Sequence, residues 1–231
     1  MKKILFILLL TTPFIGFGQG WEKTFGGTIL DGGYSVQQTT DGGYIITGMT
    51  KSYSLNGGRD VYLIKTNSTG DTLWTNTFGD SDNEEGYSVQ QTNDGGYIIC
   101  GWTESFGNGG REVYLIKTNG MGIEQWSKTF GGSNWDVGRS VKQTTDGGYI
   151  ITGYTSSFGN INRDMYLIKT DDNGDSLWTK ILGGSNDEEG RSVQQTNDGG
   201  YIITGYTSSF GNGEEDVYLI KTNSTGDTLW T

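Results

Sequence analysis

The chain contains no histidine among its 231 residues. That absence excludes Ser–His–Asp and Cys–His catalysis, histidine-ligated zinc and the imidazole proton shuttle that works near neutral pH. Cysteine is nearly absent too. Cys100 is the only one, so no internal disulfide can form and stability must come from packing. Cys100 stands at a position that holds Thr47, Thr152 and Thr204 elsewhere in the chain, which reads as a small buried strand residue. The single proline, Pro13, lies close to the N-terminus, so nothing later in the chain interrupts a β-ladder. Positive charge is scarce, with 16 basic against 27 acidic residues and a formal net charge of −11. A field of that sign repels nucleic acid and anionic lipid and excludes both as primary partners.

Long apolar runs are missing except at the start. Lys2 and Lys3 precede an apolar run over residues 4–10, and Gly16 and Gly18 offer small residues at the −3 and −1 positions of a cleavage site. Residues 1–18 therefore read as a secretory signal peptide, too short in its apolar part to span a membrane, with the mature chain, residues 19–231, starting at Gln19. No cysteine follows the run to carry a lipid. The expectation is an exported protein without a membrane span, found extracellularly or at the outer cell surface. Without Lys2 and Lys3, 14 basic residues face 27 acidic ones, a formal charge of −13.

What the chain does have is repetition. Trp21, Trp74, Trp126, Trp178 and Trp230 recur every 52 or 53 residues. DGGYI recurs with them at residues 41, 94, 146 and 198, and YLIKT at residues 62, 114, 166 and 218. A fixed period of this length marks one supersecondary unit built several times and stacked. In the first copy, YSVQQT, YIITGMT, DVYLIKT and LWTNTF are rich in strand formers, and DGG and NSTGD are turn sequences that tolerate positive φ. These predict four short antiparallel strands per copy and no helix. The runs at residues 44–46 and 62–64 are apolar on both faces, so the central strands must be covered on both sides. Sheets stacked face to face around an axis meet that need. The fold class is thus all-β, a β-propeller of four-stranded antiparallel blades of about 52 residues. Four repeats are visible, at residues 33–78, 86–130, 138–182 and 190–231.

The unit resembles the secreted bacterial β-propeller repeat (SBBP) family, whose copies run D-x-Y-x-x-K-x-x-x-x-G-x-x-x-W, then a GG loop, then a D-G-x-Y hairpin. In the first copy the matching residues are Asp60, Tyr62, Lys65, Gly70, Trp74, Asp41, Gly42 and Tyr44. The resemblance covers essentially the whole mature chain. It implies the propeller fold and exported cargo, including type IX secretion cargo, and says almost nothing of chemistry. Two readings of ring closure stay open. Residues 21–25 (WEKTF) close the fourth blade as its outer strand, giving a four-bladed ring, or the chain is part of a larger propeller. A β-solenoid of the same units is a third arrangement.

Several acids recur at fixed positions: Asp31, Glu84, Asp136 and Glu188, then Asp60, Glu112, Asp164 and Asp216. A ring of carboxylates could hold Ca²⁺, and carboxylate pairs could hydrolyse a glycoside. The plainer reading is that each copy uses its acid to accept loop amides or to pair with Lys65, Lys117, Lys169 or Lys221. Recurrence favours it, because an active site needs residues that one copy has and the others lack. The turn at residues 171–175 lacks the spacing of an EF-hand and reads as a plain hairpin turn.

More informative are positions that differ between copies on the longer loops, which should share one end of the propeller. One position carries Met49, Trp102, Tyr154 and Tyr206, another Arg59, Arg111, Arg163 and Glu215, and Trp135 is alone in its loop. Trp102, Trp135, Tyr154, Tyr206, Arg59, Arg111 and Arg163 form the candidate ligand-binding set, able to stack a sugar or grip a peptide. The plainer reading makes Trp102 and its equivalents caps of the inter-blade core, as Tyr53, Phe106, Phe158 and Phe210 should be. These observations lead to an expectation of a non-enzymatic scaffold or binding module for a glycan or protein partner. The alternative is a carboxylate-based glycosidase or lyase on a propeller, or part of a larger enzyme.

Overall fold

The computed structural model describes residues 20–54 and 56–231. The expected signal peptide and Leu55 lie outside the described residues. No helix among those residues is long and apolar enough to cross a membrane.

The strands form four four-stranded antiparallel sheets, each a simple meander. The first comprises β1 (Asp31–Gln38), β2 (Tyr44–Thr50), β3 (Asp60–Thr66) and β4 (Thr72–Phe78). The second comprises β5 (Glu84–Gln91), β6 (Tyr97–Thr103), β7 (Glu112–Thr118) and β8 (Glu124–Phe130). The third comprises β9 (Asp136–Gln143), β10 (Tyr149–Thr155), β11 (Asp164–Thr170) and β12 (Ser176–Leu182). The fourth comprises β13 (Glu188–Gln195), β14 (Tyr201–Thr207), β15 (Asp216–Thr222) and β16 (Thr228–Trp230). Each sheet starts two residues before the expected blade boundary, because the recurring acid belongs to the ladder: Asp31 pairs with Thr50, and Glu84 with Thr103.

The hairpin turns follow from their sequence. Gly95 takes φ +81°, while Asp94 Oδ1 accepts from the Gly96 amide at 3.0 Å and from the Thr92 hydroxyl at 2.5 Å. The same bonds recur at Asp41, Asp146 and Asp198. Each hairpin Asp also pairs with the lysine of the third strand: Lys65–Asp41, Lys117–Asp94, Lys169–Asp146 and Lys221–Asp198, at 2.8–2.9 Å. The recurring lysines thus pair with the hairpin acids and not with the acids that open the third strand. Burial pushes the Asp94 carboxyl up, but bonds from Lys117, Thr92 and Gly96 outweigh it and hold its pKa at about 2.

Consecutive sheets stack face to face in a propeller-like arrangement, and the core lies between them. Ile98, Cys100, Val113 and Leu115 of the second sheet meet Val141, Tyr149, Ile151, Tyr166 and Ile168 of the third. The first and third junctions repeat this set with homologous residues. Strands β6, β7, β10 and β11 are buried along their whole length, as residues apolar on both faces require. Cys100 is wholly buried, and desolvation raises its thiol pKa far above the usual range.

Residues 21–25 do not take the place that one of the two readings of ring closure gives them. They form no strand in the fourth sheet, whose outer strand is β16. They lie on the first sheet: the Trp21 ring is 5.8 Å from Tyr44, and Lys23 bonds Asp71 at 2.8 Å. Inside the chain Trp74, Trp126 and Trp178 sit on Tyr97, Tyr149 and Tyr201 at 5.8–5.9 Å, and Lys128 and Lys180 reach Asp175 and Asp227. The seat is made by the tyrosine and by Gly70, at φ +78°, where a Cβ would run into the Trp21 ring. Residues 21–25 occupy the place that the outer strand of a preceding sheet takes everywhere else.

Candidate functional site

The longer loops emerge together, as expected: Asn56 Nδ2 donates to Asp80 at 3.1 Å, and Asn83 Nδ2 to Glu104 at 2.8 Å. At this end each inner strand carries a one-residue bulge. The register slips between Gly33 and Ser35, between Gly86 and Ser88, and between Gly190 and Ser192. In the third sheet Thr152 pairs with Ser140 while Gly153 pairs with Gly138. The extra residues are Tyr34, Tyr87, Arg139 and Arg191. A bulge re-aims one side chain without ending the strand.

These four residues, which the sequence reading overlooked, join the candidate set into one aromatic–arginine ladder. Tyr34 and Tyr87 lie 5.2 Å apart. Trp102 Nε1 donates to the Tyr87 hydroxyl at 3.0 Å, and that hydroxyl donates to Glu85 at 2.9 Å. Arg139 lies 4.5 Å from the Tyr87 ring and 5.9 Å from Tyr154, and its Nε donates to Glu189 at 2.5 Å. Burial disfavours the Arg139 charge, and Glu189 more than offsets it, so its pKa is raised. Arg163 covers Tyr154 at 4.6 Å, and Arg191 pairs with Glu189 at 3.0 Å and approaches Tyr206. Arg111 lies 3.9 Å from the Trp102 ring and 4.8 Å from Trp135, with Nε on Glu104 at 3.0 Å. Arg59 pairs with Glu85 at 2.6 Å.

All seven candidates therefore converge on one end, but they divide by exposure. Trp102 is 1 % exposed and packs with Val137 and Tyr154 in a buried cluster. Its ring is closed over by Arg111, so it caps the core and offers no face to a ligand. Tyr154 is buried in the same way, while Tyr206, Arg59, Arg111 and Arg163 are half-buried. Trp135 is 49 % exposed and, with Asn134, Ser156 and the fully exposed Ile161, lines an open concavity of about 420 Å³. Tyr53, Phe106, Phe158 and Phe210 each lie against a third-strand tyrosine at 5.6–6.0 Å yet stay half-exposed, so they cover the sheets' outer parts. The missed residues had a signal in the sequence: the fourth position of the inner strand varies as Tyr34, Tyr87, Arg139 and Arg191 between constant glycine and serine.

The recurring acids other than Asp60 accept loop amides. Glu188 accepts from the Gly184 amide at 2.7 Å, the Thr207 hydroxyl at 2.6 Å and the Ser209 amide at 3.1 Å. Asp164 accepts from the Asn160 amide at 2.8 Å. The two converge on Gly183, where a Cβ would run into both carboxylates. Glu112 and Asp136 converge likewise on Gly131, and Asp60 and Glu84 on Gly79. All six side chains are buried, and among the described residues Asp60 Oδ1 and Asp136 Oδ1 have no hydrogen-bond partner. Burial, and then the facing acid, raises the pKa of Asp164; burial and facing acids likewise raise Asp60 and Glu112. Among the described residues no three acids or cysteines gather as a metal cluster. In the 171–175 turn, Asp171 accepts the Asn173 and Asp175 amides. A calcium role for these acids is read by a thermal melt with added calcium or chelator, which shifts Tm only if a cation is held.

No family model and no curated protein matches the chain. Among solved structures it is similar to one described as a bifunctional GH43-CE from Bacteroides eggerthii. The TM-score is 0.44 and the identity 14 % over 85 % of this chain. The similarity spans 26 % of that protein's length, about a quarter.

Proposed function

We propose that the chain is an exported, non-enzymatic propeller-type module that binds a glycan or protein outside the cell through the loop rim around Trp135. The observation that carries this reading is the exposure of Trp135 beside Arg111 and Ile161, at the end where the copies differ most. A half-exposed indole held by a cation is a rigid stacking surface with little entropy left to lose. The recurring acids support a non-enzymatic reading: the six at the blade junctions are buried, out of reach of a sugar, and five of them accept from loop amides.

Glycan and peptide arrays probed with the mature chain test this. Binding weakened at least about tenfold by Trp135→Ala, with an unchanged melting curve, is the expected result. Binding indifferent to that substitution would remove Trp135 from the reading. Turnover of aryl glycosides or polysaccharides by the purified chain would replace the reading with the carboxylate-based glycosidase or lyase.

A further inference from the structure

At the hairpin end, opposite the loop rim, the junction of the second and third sheets departs from its neighbours. Four positions there carry an amide or a carboxylate that the flanking junctions lack. Asn93 stands where those junctions have Thr40 and Thr145, and Gln125 where they have Leu73 and Leu177. Asp172 stands where they have Gly120 and Ser224, and Asn173 where they have Met121 and Thr225. All four side chains are exposed, and with Trp126 and Tyr149 they line one open concavity of about 450 Å³. A repeat broken at four places around one concavity has the asymmetry that the recurring acids lack.

The constant part of the repeat holds this concavity in shape. Trp126 sits edge-on to Tyr149, with ring centroids 5.9 Å apart. The turn of the third sheet lies against the same indole: Gly174 takes φ +79°, and a Cβ there would run into the Trp126 ring. Lys128 fastens that turn through Asp175 at 2.7 Å. Gln143 accepts from the Asn93 amide at 2.9 Å and donates to the Gly147 carbonyl at 3.1 Å, which ties the hairpins of the two sheets together. The walls are set by packing before any ligand arrives, so little order remains to be imposed on binding.

Gln125 also rearranges the polar groups. Lys65 and Lys169 reach both oxygens of Asp41 and Asp146, at 2.9–3.1 Å. Lys117 reaches Asp94 through Oδ2 alone, at 2.8 Å, and bonds the Thr118 carbonyl at 2.9 Å and Gln125 Oε1 at 3.1 Å. An ammonium has three donors, so Lys117 has none left for an anion, and Asp94 and Asp172 repel one. Gln125 keeps its two amide donors. Asn173 donates to Asp172 at 3.1 Å and keeps its carbonyl as an acceptor. What these groups suit is an uncharged molecule with donors and acceptors on adjacent atoms. Neighbouring hydroxyls of a sugar ring match planar amides and carboxylates in this way, and the ring's apolar face suits an indole.

We propose that this concavity is a separate ligand site for one ring of a neutral saccharide, with Asn93, Gln125, Asp172 and Asn173 bonding its hydroxyls beside Trp126. It lies at the other end of the sheets from Trp135 and does not depend on binding there.

The test is saturation-transfer NMR of the mature chain with the methyl pyranosides of glucose, galactose, mannose and xylose, each at up to about 10 mM. The expected result is binding of at least one of them with a Kd of about 1 mM or below. Gln125→Leu and Asn173→Thr should each weaken it at least about tenfold. Both bring in a residue type that a neighbouring repeat carries at the same position, so the melting curve should not change. Trp135→Ala should leave this binding intact, which separates it from binding at the loop rim. Failure of all four pyranosides to bind overturns the proposal, as does binding that survives both substitutions or is lost with Trp135→Ala. Methyl glucuronide binding more tightly than methyl glucoside would overturn the assignment to a neutral sugar.

Discussion

Arg111 lies between two indole rings of opposite exposure, and their substitutions should separate cleanly. Trp102 is buried with Val137 and Tyr154 and satisfies its Nε1 on Tyr87. Trp102→Ala leaves a cavity and takes from the Tyr87 hydroxyl the donor it accepts, and should cost about 3–5 kcal/mol in denaturant unfolding. Trp135→Ala removes a half-exposed ring that touches Arg111 and should change stability by less than about 1 kcal/mol. If the two cost the same, the burial described for Trp102 is wrong. The residue types at both positions were legible in the sequence as variable aromatics on a conserved frame. Their opposite burial was not, because it depends on which ring the neighbouring blade covers.

At the scale of the strand pair, each blade junction joins two buried acids across one glycine. A carboxyl whose folded pKa is raised favours the folded state at low pH, and that contribution is lost as pH rises through the raised value. Asp60, Glu112 and Asp164 are of this kind. Asp164→Asn keeps an acceptor for the Asn160 amide and turns a donor toward Glu188. It should stabilise the chain at pH 8 by roughly 1 kcal/mol, with the gain fading as pH falls through the raised value and gone by about pH 4. Glu188→Gln should do the reverse, losing about 1–3 kcal/mol at pH 8, because one amide nitrogen cannot accept from Gly184 or Ser209. Urea unfolding of both variants at the two pH values checks the signs. The hairpin acids act oppositely: Asp94, held at about 2, stabilises above about pH 4 and loses that as pH falls toward 2. The acids' recurrence was visible in the sequence. That acids from neighbouring repeats face each other over one glycine is a matter of blade stacking alone.

For the whole molecule, stability should be graded along the stack. A repeat array is held by nearest-neighbour interfaces, and sheets with one covered face are less protected than sheets with two. Amides of β6, β7, β10 and β11 should exchange slowest. Those of β1 and β15 should exchange at least about tenfold faster. Uniform protection across all four sheets would show instead that the stack unfolds as one unit.

Local chemistry settled much of this protein without tertiary information. The 52-residue period, the turn residues and the strands apolar on both faces call for four-stranded sheets covered on both sides, and stacking them face to face buries both sides of YLIKT. The roles of the turns followed as well, since Asp–Gly–Gly closes the same hairpin wherever it occurs. Tertiary structure decided what depends on neighbours. It placed residues 21–25 on the first sheet, aimed Tyr34, Tyr87, Arg139 and Arg191 through bulges, and buried Trp102 while exposing Trp135. Repeats fix their own strands, but burial and aim depend on what stacks against them, and that differs from one blade to the next.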